Sequence, residues 1–557
     1  MKVLAITLAL SLVYAAATAA TESSDPRLAE TQAGAVRGEG LADGRVVFRG
    51  IPFAAPPVRD LRWKPPMPPA PWRGVRDATA FGPACIQPRS VKGALYADDR
   101  PRTSEDCLSL NVWKPASAAG AAESRAPVMV WIHGGALING DSSSPLDDGA
   151  AMARRGVVVV SINYRLGIFG YLAHPALSAE SPRHVSGDYG LLDQIAALSW
   201  VQANIAGFGG DPGDVTIFGQ SAGGLSVMEL MISPLARGLF HKAIVQSGYM
   251  VSNPELRRAR FGQPSAEALG GALTDAIRVH DLDSLRATPA DTLQDAAFAV
   301  GYYPQPTIDG WALPRQVIEA FDDGQQAPVP LLVGFNAGEV RSLRMLAPRV
   351  PGSAADYEAE VRRRYRDLAD AYLRLYPSAN LEESVLAATR DGLYGWTAQR
   401  LAVKQTAMGQ PAFLYLFDHA YPAAVALNLR AFHGAELPYL FGQVGPGGKL
   451  WPNWPRPPET AEETALSETM IDYWTAFART GVPAAPGAPI WRPFADGGAY
   501  MDFDERAGPS SGLIPGMYAL HEEVIARRRR AGTQAWFANV GLASPPVPPP
   551  ASVGQSR

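Results

Sequence analysis

Short apolar runs recur along the chain at residues 128–132, 157–162, 215–218, 242–246, 329–333 and 413–417. They lack the polar alternation of a half-buried strand, so each is expected to be covered on both faces. Between several of them stand stretches with apolar positions at helical spacing, residues 191–204 being the clearest. Buried strands alternating with helices predict an α/β fold: one mostly parallel central sheet with helices on both faces. A chain of 557 residues has room for roughly three or four average domains. No low-complexity linker or internal repeat divides this one, and residues 21–543 read as a single domain.

Two regions look like insertions on that core, residues 253–309 and 354–408. Within the second, residues 357–372 carry apolar positions at helical spacing and a charged face expected to meet solvent. Helices inserted between late strands of such a sheet are expected to roof the site at its edge. The tail, residues 544–557, has prolines at 545, 546, 548, 549 and 550 and is expected to lack fixed structure.

The chain opens with Lys2, an apolar run from Val3 to Tyr14 and a small-residue stretch ending at Ala20. Residues 1–20 read as a removable export signal, with Ala17 and Ala19 at the A-x-A positions, and the run is short for a membrane span. The product is expected to be secreted or periplasmic. In an exported chain the two cysteines, Cys85 and Cys107, are expected to form one disulfide, contributing about 3 kcal/mol by loop closure. The formal net charge is −4, from 50 basic and 54 acidic residues, with no basic stripe. That balance argues against a nucleic-acid partner. Beyond the leader no apolar run is long enough to cross a bilayer.

The most informative chemistry follows the third strand-like run. Gly219, Gln220, Ser221, Ala222 and Gly223 form a G-x-S-x-G sequence between a short β-branched strand and a helical stretch, residues 222–231. Alone the pattern is weak. In a strand-turn-helix setting it is a nucleophile elbow, where the serine takes a strained backbone and glycines two positions either side let strand and helix approach.

A serine hydroxyl needs a base, and the base needs an acid to fix its tautomer. Of eight histidines, six stand in unsuitable positions, leaving His419 and His433 late in the chain, where the order serine, acid, histidine would put the base. His433 is favoured because Gly434 follows it in a loop. His419, beside Asp418, reads equally well as a hydrogen-bonded strand-edge residue. Glu339 follows a buried strand on the loop that starts at Phe335, facing the sheet edge where ligands collect. Asp309, Asp322, Asp323 and Asp418 are alternatives for the acid at this stage. After residues 128–132, His133, Gly134, Gly135 and Ala136 form a turn whose N–H groups are free of side-chain cover. Those of Gly135 and Ala136, with that of Ala222, are expected to make a three-donor oxyanion hole.

Three blocks together resemble one family, the type-B carboxylesterases, which include cholinesterases and bacterial p-nitrobenzyl esterases. Residues 104–113 around Cys107 are similar to its cysteine signature, residues 208–223 to its serine signature and residues 432–437 to its histidine block. Weaker likeness runs from residues 51–57 through 163–167 to 473–477. The resemblance implies an α/β-hydrolase fold without metal or organic cofactor. It also implies a Ser221, Glu339 and His433 triad, an oxyanion hole at Gly135, Ala136 and Ala222, and pairing of Cys85 with Cys107. Where the family usually shows Asp-Glu-Gly, this chain has Gly338, Glu339 and Val340.

Other departures bear on substrate. Gln220 stands where many relatives carry glutamate, and the loop between the cysteines has no tryptophan to cradle a quaternary ammonium, which argues against cholinesterase activity. Ala136 replaces a third glycine, a loop type associated with bulky alcohol moieties, and Leu137 replaces a common phenylalanine. The expected function is a secreted serine esterase acting on a small-molecule ester, from short acyl esters to bulky polycarboxylate esters such as mycotoxin side chains. An amidase or peptidase using the same residues is the alternative within catalysis. A non-catalytic recognition protein, as the family also includes, is the alternative outside it.

Overall fold

The structure, a computed structural model, describes residues 25–97, 102–116, 125–537 and 541–550. The leader expected over residues 1–20 lies outside them. Among the described residues, eleven strands form the main sheet: β1 (Glu39–Gly40), β2 (Val46–Pro52), β3 (Ser109–Lys114), β4 (Ala126–Ile132), β5 (Val158–Ile162), β6 (Gly210–Gln220), β7 (Lys242–Gln246), β8 (Leu331–Asn336), β9 (Ala412–Phe417), β10 (Ala499–Phe503) and β11 (Ala507–Ser511). Their spatial order is β11-β10-β9-β8-β7-β6-β4-β5-β3-β2-β1. From β5 to β10 the neighbours run parallel; β1, β2, β3 and β11 are antiparallel edges.

The continuous apolar runs are buried on both faces because each strand feeds two cores. In β4, Val128, Val130 and Ile132 enter one cluster while Met129 and Trp131 enter the other. Helices α1 (Tyr189–Asn204), α2 (Ala222–Ile232) and α3 (Trp396–Ala407) cover the first face through Leu198, Val227 and Leu401. Helix α4 (Ala461–Thr480) covers the second through Met470, Trp474 and Phe477. Each fully buried side chain of this kind contributes roughly 1.5–3 kcal/mol.

The second insertion differs from expectation in two ways. The helix expected over residues 357–372 is broken: Ala354–Tyr365 and Ala369–Leu375 flank Arg366, whose φ is 53°. The break lets Tyr365 and Tyr372 pack together with ring centroids 4.1 Å apart in a separate buried cluster. The insertion's last helix, α3, is part of the sheet's cover rather than a roof, its Leu401 sharing a cluster with Leu331 and Val333 of β8. The start of the proline-rich tail is also packed. Val547 is buried and donates its N–H to the Arg364 carbonyl at 2.7 Å, because its apolar side chain finds the tyrosine cluster. Cys85 and Cys107 form a disulfide, Cα–Cα 5.0 Å.

Candidate active site

Ser221 sits between the end of β6 and the start of α2 with φ 59° and ψ −122°. A non-glycine residue held there stores about 1–3 kcal/mol of strain. The turn is overdetermined by its surroundings. The Ser221 N–H donates to the Gln246 carbonyl on β7 at 2.9 Å. A Cβ on Gly223 would lie 2.0 Å from the Ile132 carbonyl, and one on Gly219 2.6 Å from the Gly223 backbone. Strand and helix therefore close to the distance that only glycine permits.

Gly219 pairs with Ile132 across the sheet, so the turn after β4 emerges beside the serine. A Cβ on Gly134 would come within 3.1 Å of the Ser221 Cβ. Gly135, Ala136 and Leu137 all have positive φ, at 103°, 57° and 60°. Ile138 and Asn139 close the turn by donating to the Gly135 carbonyl, both at 3.0 Å. Among the described residues, neither the Gly135 nor the Ala136 N–H has a hydrogen-bond acceptor. Ala222, the first residue of α2, has no intrahelical partner for its own.

The acid and the imidazole arrive on two tied loops. Glu339 opens a one-turn helix just beyond β8, and Gly338 donates its N–H to the Ala431 carbonyl at 2.8 Å. That contact sets His433 beside Glu339: the imidazole Nδ1 is hydrogen-bonded to Glu339 Oε2, with Glu339 fully buried and His433 nearly so. Held this way, Nδ1 carries the proton and Nε2 is left as the acceptor. In this structure Nε2 lies 3.2 Å from the side-chain nitrogen of Gln220, which donates to it. Gln220 precedes the serine, so imidazole and hydroxyl share one rim. The Ser221 hydroxyl itself donates to no described residue.

Three of the four alternative acids are occupied elsewhere. Asp309 accepts from the Trp311 and Leu313 N–H groups, Asp322 pairs with Arg400, Lys404 and Arg529, and Asp323 pairs with Arg315. Asp418 makes no bond to His433. His419 is bonded to Glu463 at 2.9 Å, a strand-edge role.

Sequence reasoning missed a second buried carboxylate, Glu436. The Asn336 N–H donates to Glu339 Oε1 at 2.9 Å, and its side-chain amide donates to Glu436 Oε2 at 2.6 Å. Burial, with Glu339 next to it, pushes the Glu436 carboxyl up to about 7. Glu436 lies inside the histidine block, three residues after His433, and that spacing was the available signal. Tyr394 was also missed. A π-helical turn, Asp391–Gly395, sets its ring 5.4 Å from the imidazole. Such turns often mark functional positions.

A strained serine at the carboxyl end of a parallel strand, beside an imidazole bonded to a carboxylate and a turn of free N–H groups, defines an α/β-hydrolase. Residues 25–513 match the carboxylesterase family, and the chain belongs to it. It is 38% identical over 504 residues to a fumonisin B1 esterase of Sphingopyxis macrogoltabida, covering 89% of each chain. It is 37% identical over 467 residues to a para-nitrobenzyl esterase of Bacillus subtilis (strain 168), covering 82% of this chain and 91% of that one. A solved structure of a PNB esterase superposes with a TM-score of 0.76 at 33% identity, covering 89% of this chain and 99% of that one. The protein is a carboxylic ester hydrolase.

Proposed function

We propose that the protein is an exported esterase that works through an acyl-enzyme on Ser221. His433 Nε2 takes the hydroxyl proton as Oγ attacks the ester carbonyl, giving a tetrahedral oxyanion that accepts from the N–H groups of Gly135, Ala136 and Ala222. Collapse breaks the bond to the alcohol oxygen, which receives the proton from Nε2. Water then repeats the sequence on the acyl-enzyme, and the acid leaves. Glu339 holds the imidazole in the Nδ1–H tautomer and stabilises its cation. Each oxyanion donor contributes about 2.7–4 kcal/mol to lowering the barrier.

The observation that carries this reading is the His433–Glu339 hydrogen bond beside the strained Ser221 turn. Ser221→Ala tests it. The variant is expected to fold normally and to lose turnover of p-nitrophenyl acetate; retained activity would overturn the assignment. The relative named for fumonisin B1 makes that ester the first bulky substrate to assay. Comparing it with short acyl esters and a matched amide sets acyl and leaving-group preference.

A further inference from the structure

The loop closed by the Cys85–Cys107 disulfide is seated beside the histidine loop. Within it, Tyr96 packs edge-on against Trp451 and Trp454, with ring centroids 6.1 Å from each. Trp454 in turn lies against Phe432, the neighbour of His433, at 4.8 Å between centroids. The Asn453 side-chain amide donates to the Ala94 carbonyl at 2.9 Å, so backbone as well as rings fixes the segment that carries Tyr96.

The Tyr96 hydroxyl reaches the backbone of the base. It lies 2.9 Å from the His433 carbonyl oxygen and 2.7 Å from Ser342 Oγ, and the His433 N–H donates to that same Oγ at 3.3 Å. A carbonyl can only accept, so the Tyr96 proton goes to it and the Ser342 hydroxyl donates to the Tyr96 oxygen. The three bonds close a ring that engages both backbone polar groups of His433. Ser342 ends the one-turn helix that Glu339 opens, so the ring also joins acid to base. Burial, with the Glu339 and Glu436 carboxylates adding to it, holds the Tyr96 phenol well above its usual range, and it stays a donor at neutral and mildly alkaline pH.

The hydrogen bond from Glu339 constrains Nδ1 alone. Where the ring stands over Ser221 depends on where the backbone of residue 433 sits, on a loop that turns at once through Gly434, with φ 82°. A catalytic group must be held within about 0.5 Å of its productive position, which calls for a tether from outside the loop. We propose that Tyr96 is a positioning residue for His433: through the His433 carbonyl and Ser342 it sets the imidazole over the serine, and it makes the disulfide loop part of the catalytic frame. This rests on His433 being the base.

Tyr96→Phe tests it, keeping the ring between the two tryptophans and removing only the hydroxyl. Steady-state kinetics on p-nitrophenyl acetate are expected to show kcat lowered roughly five- to twentyfold with KM within about twofold of wild type. Ser342→Ala opens the same ring from the other side; it is expected to act alike, with the double variant costing little more than either single one. Placed in His433→Ala, Tyr96→Phe is expected to leave the residual rate unchanged, since no imidazole remains to be misplaced. Circular dichroism checks the folds, and Ser342→Ala decides alone if Tyr96→Phe is misfolded. A kcat within about twofold of wild type, a loss confined to KM, or a further fall in the His433→Ala background would overturn the proposal. Full activity of His433→Ala by itself would remove the base, and the proposal with it.

Discussion

Glu339 and Glu436 are bridged by one residue, Asn336, which gives its backbone N–H to the first carboxylate and its side-chain amide to the second. Gln246 adds a longer contact to Glu436 at 3.4 Å while its own carbonyl holds the Ser221 N–H. The elbow, the acid and the histidine loop therefore share one buried polar network. Burial first, and the neighbouring Glu339 second, raise the Glu436 carboxyl to about 7, so it is about half protonated at neutral pH.

Stability should report that proton. With its carboxyl raised from 4.5 to about 7, Glu436 favours the folded state most fully below pH 4.5 and loses that contribution as pH rises through about 7. Glu436→Gln, which stays neutral, is expected to leave stability near pH 4 little changed. At pH 9 it should relieve a penalty of up to about 3 kcal/mol. Denaturant melts of both proteins at the two pH values check this; a pH-independent difference would mean that Glu436 does not carry the titration.

Glu339→Gln preserves volume and burial but cannot stabilise the imidazolium or fix its tautomer. A fall in kcat of roughly 10³- to 10⁴-fold is expected, with the melting temperature nearly unchanged. Steady-state kinetics on p-nitrophenyl acetate decide it, and a kcat within tenfold of wild type would move the acid's role elsewhere.

Gln220 lies against the imidazole as a neutral donor. Replacing it with glutamate would put a negative charge about as close to Nε2, favouring the protonated ring. The acid limb of the kcat/KM profile should then move to higher pH by roughly one unit. An unmoved limb would show that the limb does not report His433.

Gly223→Ala inserts a methyl group 2.0 Å from the Ile132 carbonyl, where backbone would have to yield. The expected result is loss of soluble protein, or a loss of several kcal/mol of stability, on the order of the larger single-residue effects. Normal expression with a normal melting temperature would contradict the close approach of elbow and β4.

The parallel strands were legible because burial on both faces leaves unbroken apolar runs, as at residues 128–132. The antiparallel edges were not: β2 is interrupted by Arg49 and Gly50, and β11 (Ala507–Ser511) holds glycine, proline and serines. The elbow could be read because Gly219 and Gly223 answer a purely local steric demand. Glu339 could not be singled out from spacing, since its partner lies 94 residues away and Asp322 or Asp418 looked alike. Resemblance to the family, not local pattern, picked it out. The break at Arg366 left no mark either, because a left-handed arginine is imposed by the tyrosines packing on either side of it.

The most direct test of the account is to inactivate the enzyme with a diethyl phosphoryl or fluorophosphonate reagent and map the adduct by peptide mass spectrometry. One adduct per chain, on Ser221, with its formation slowed by orders of magnitude in His433→Ala, is the expected result. An adduct on another residue, or undiminished labelling without the imidazole, would contradict it.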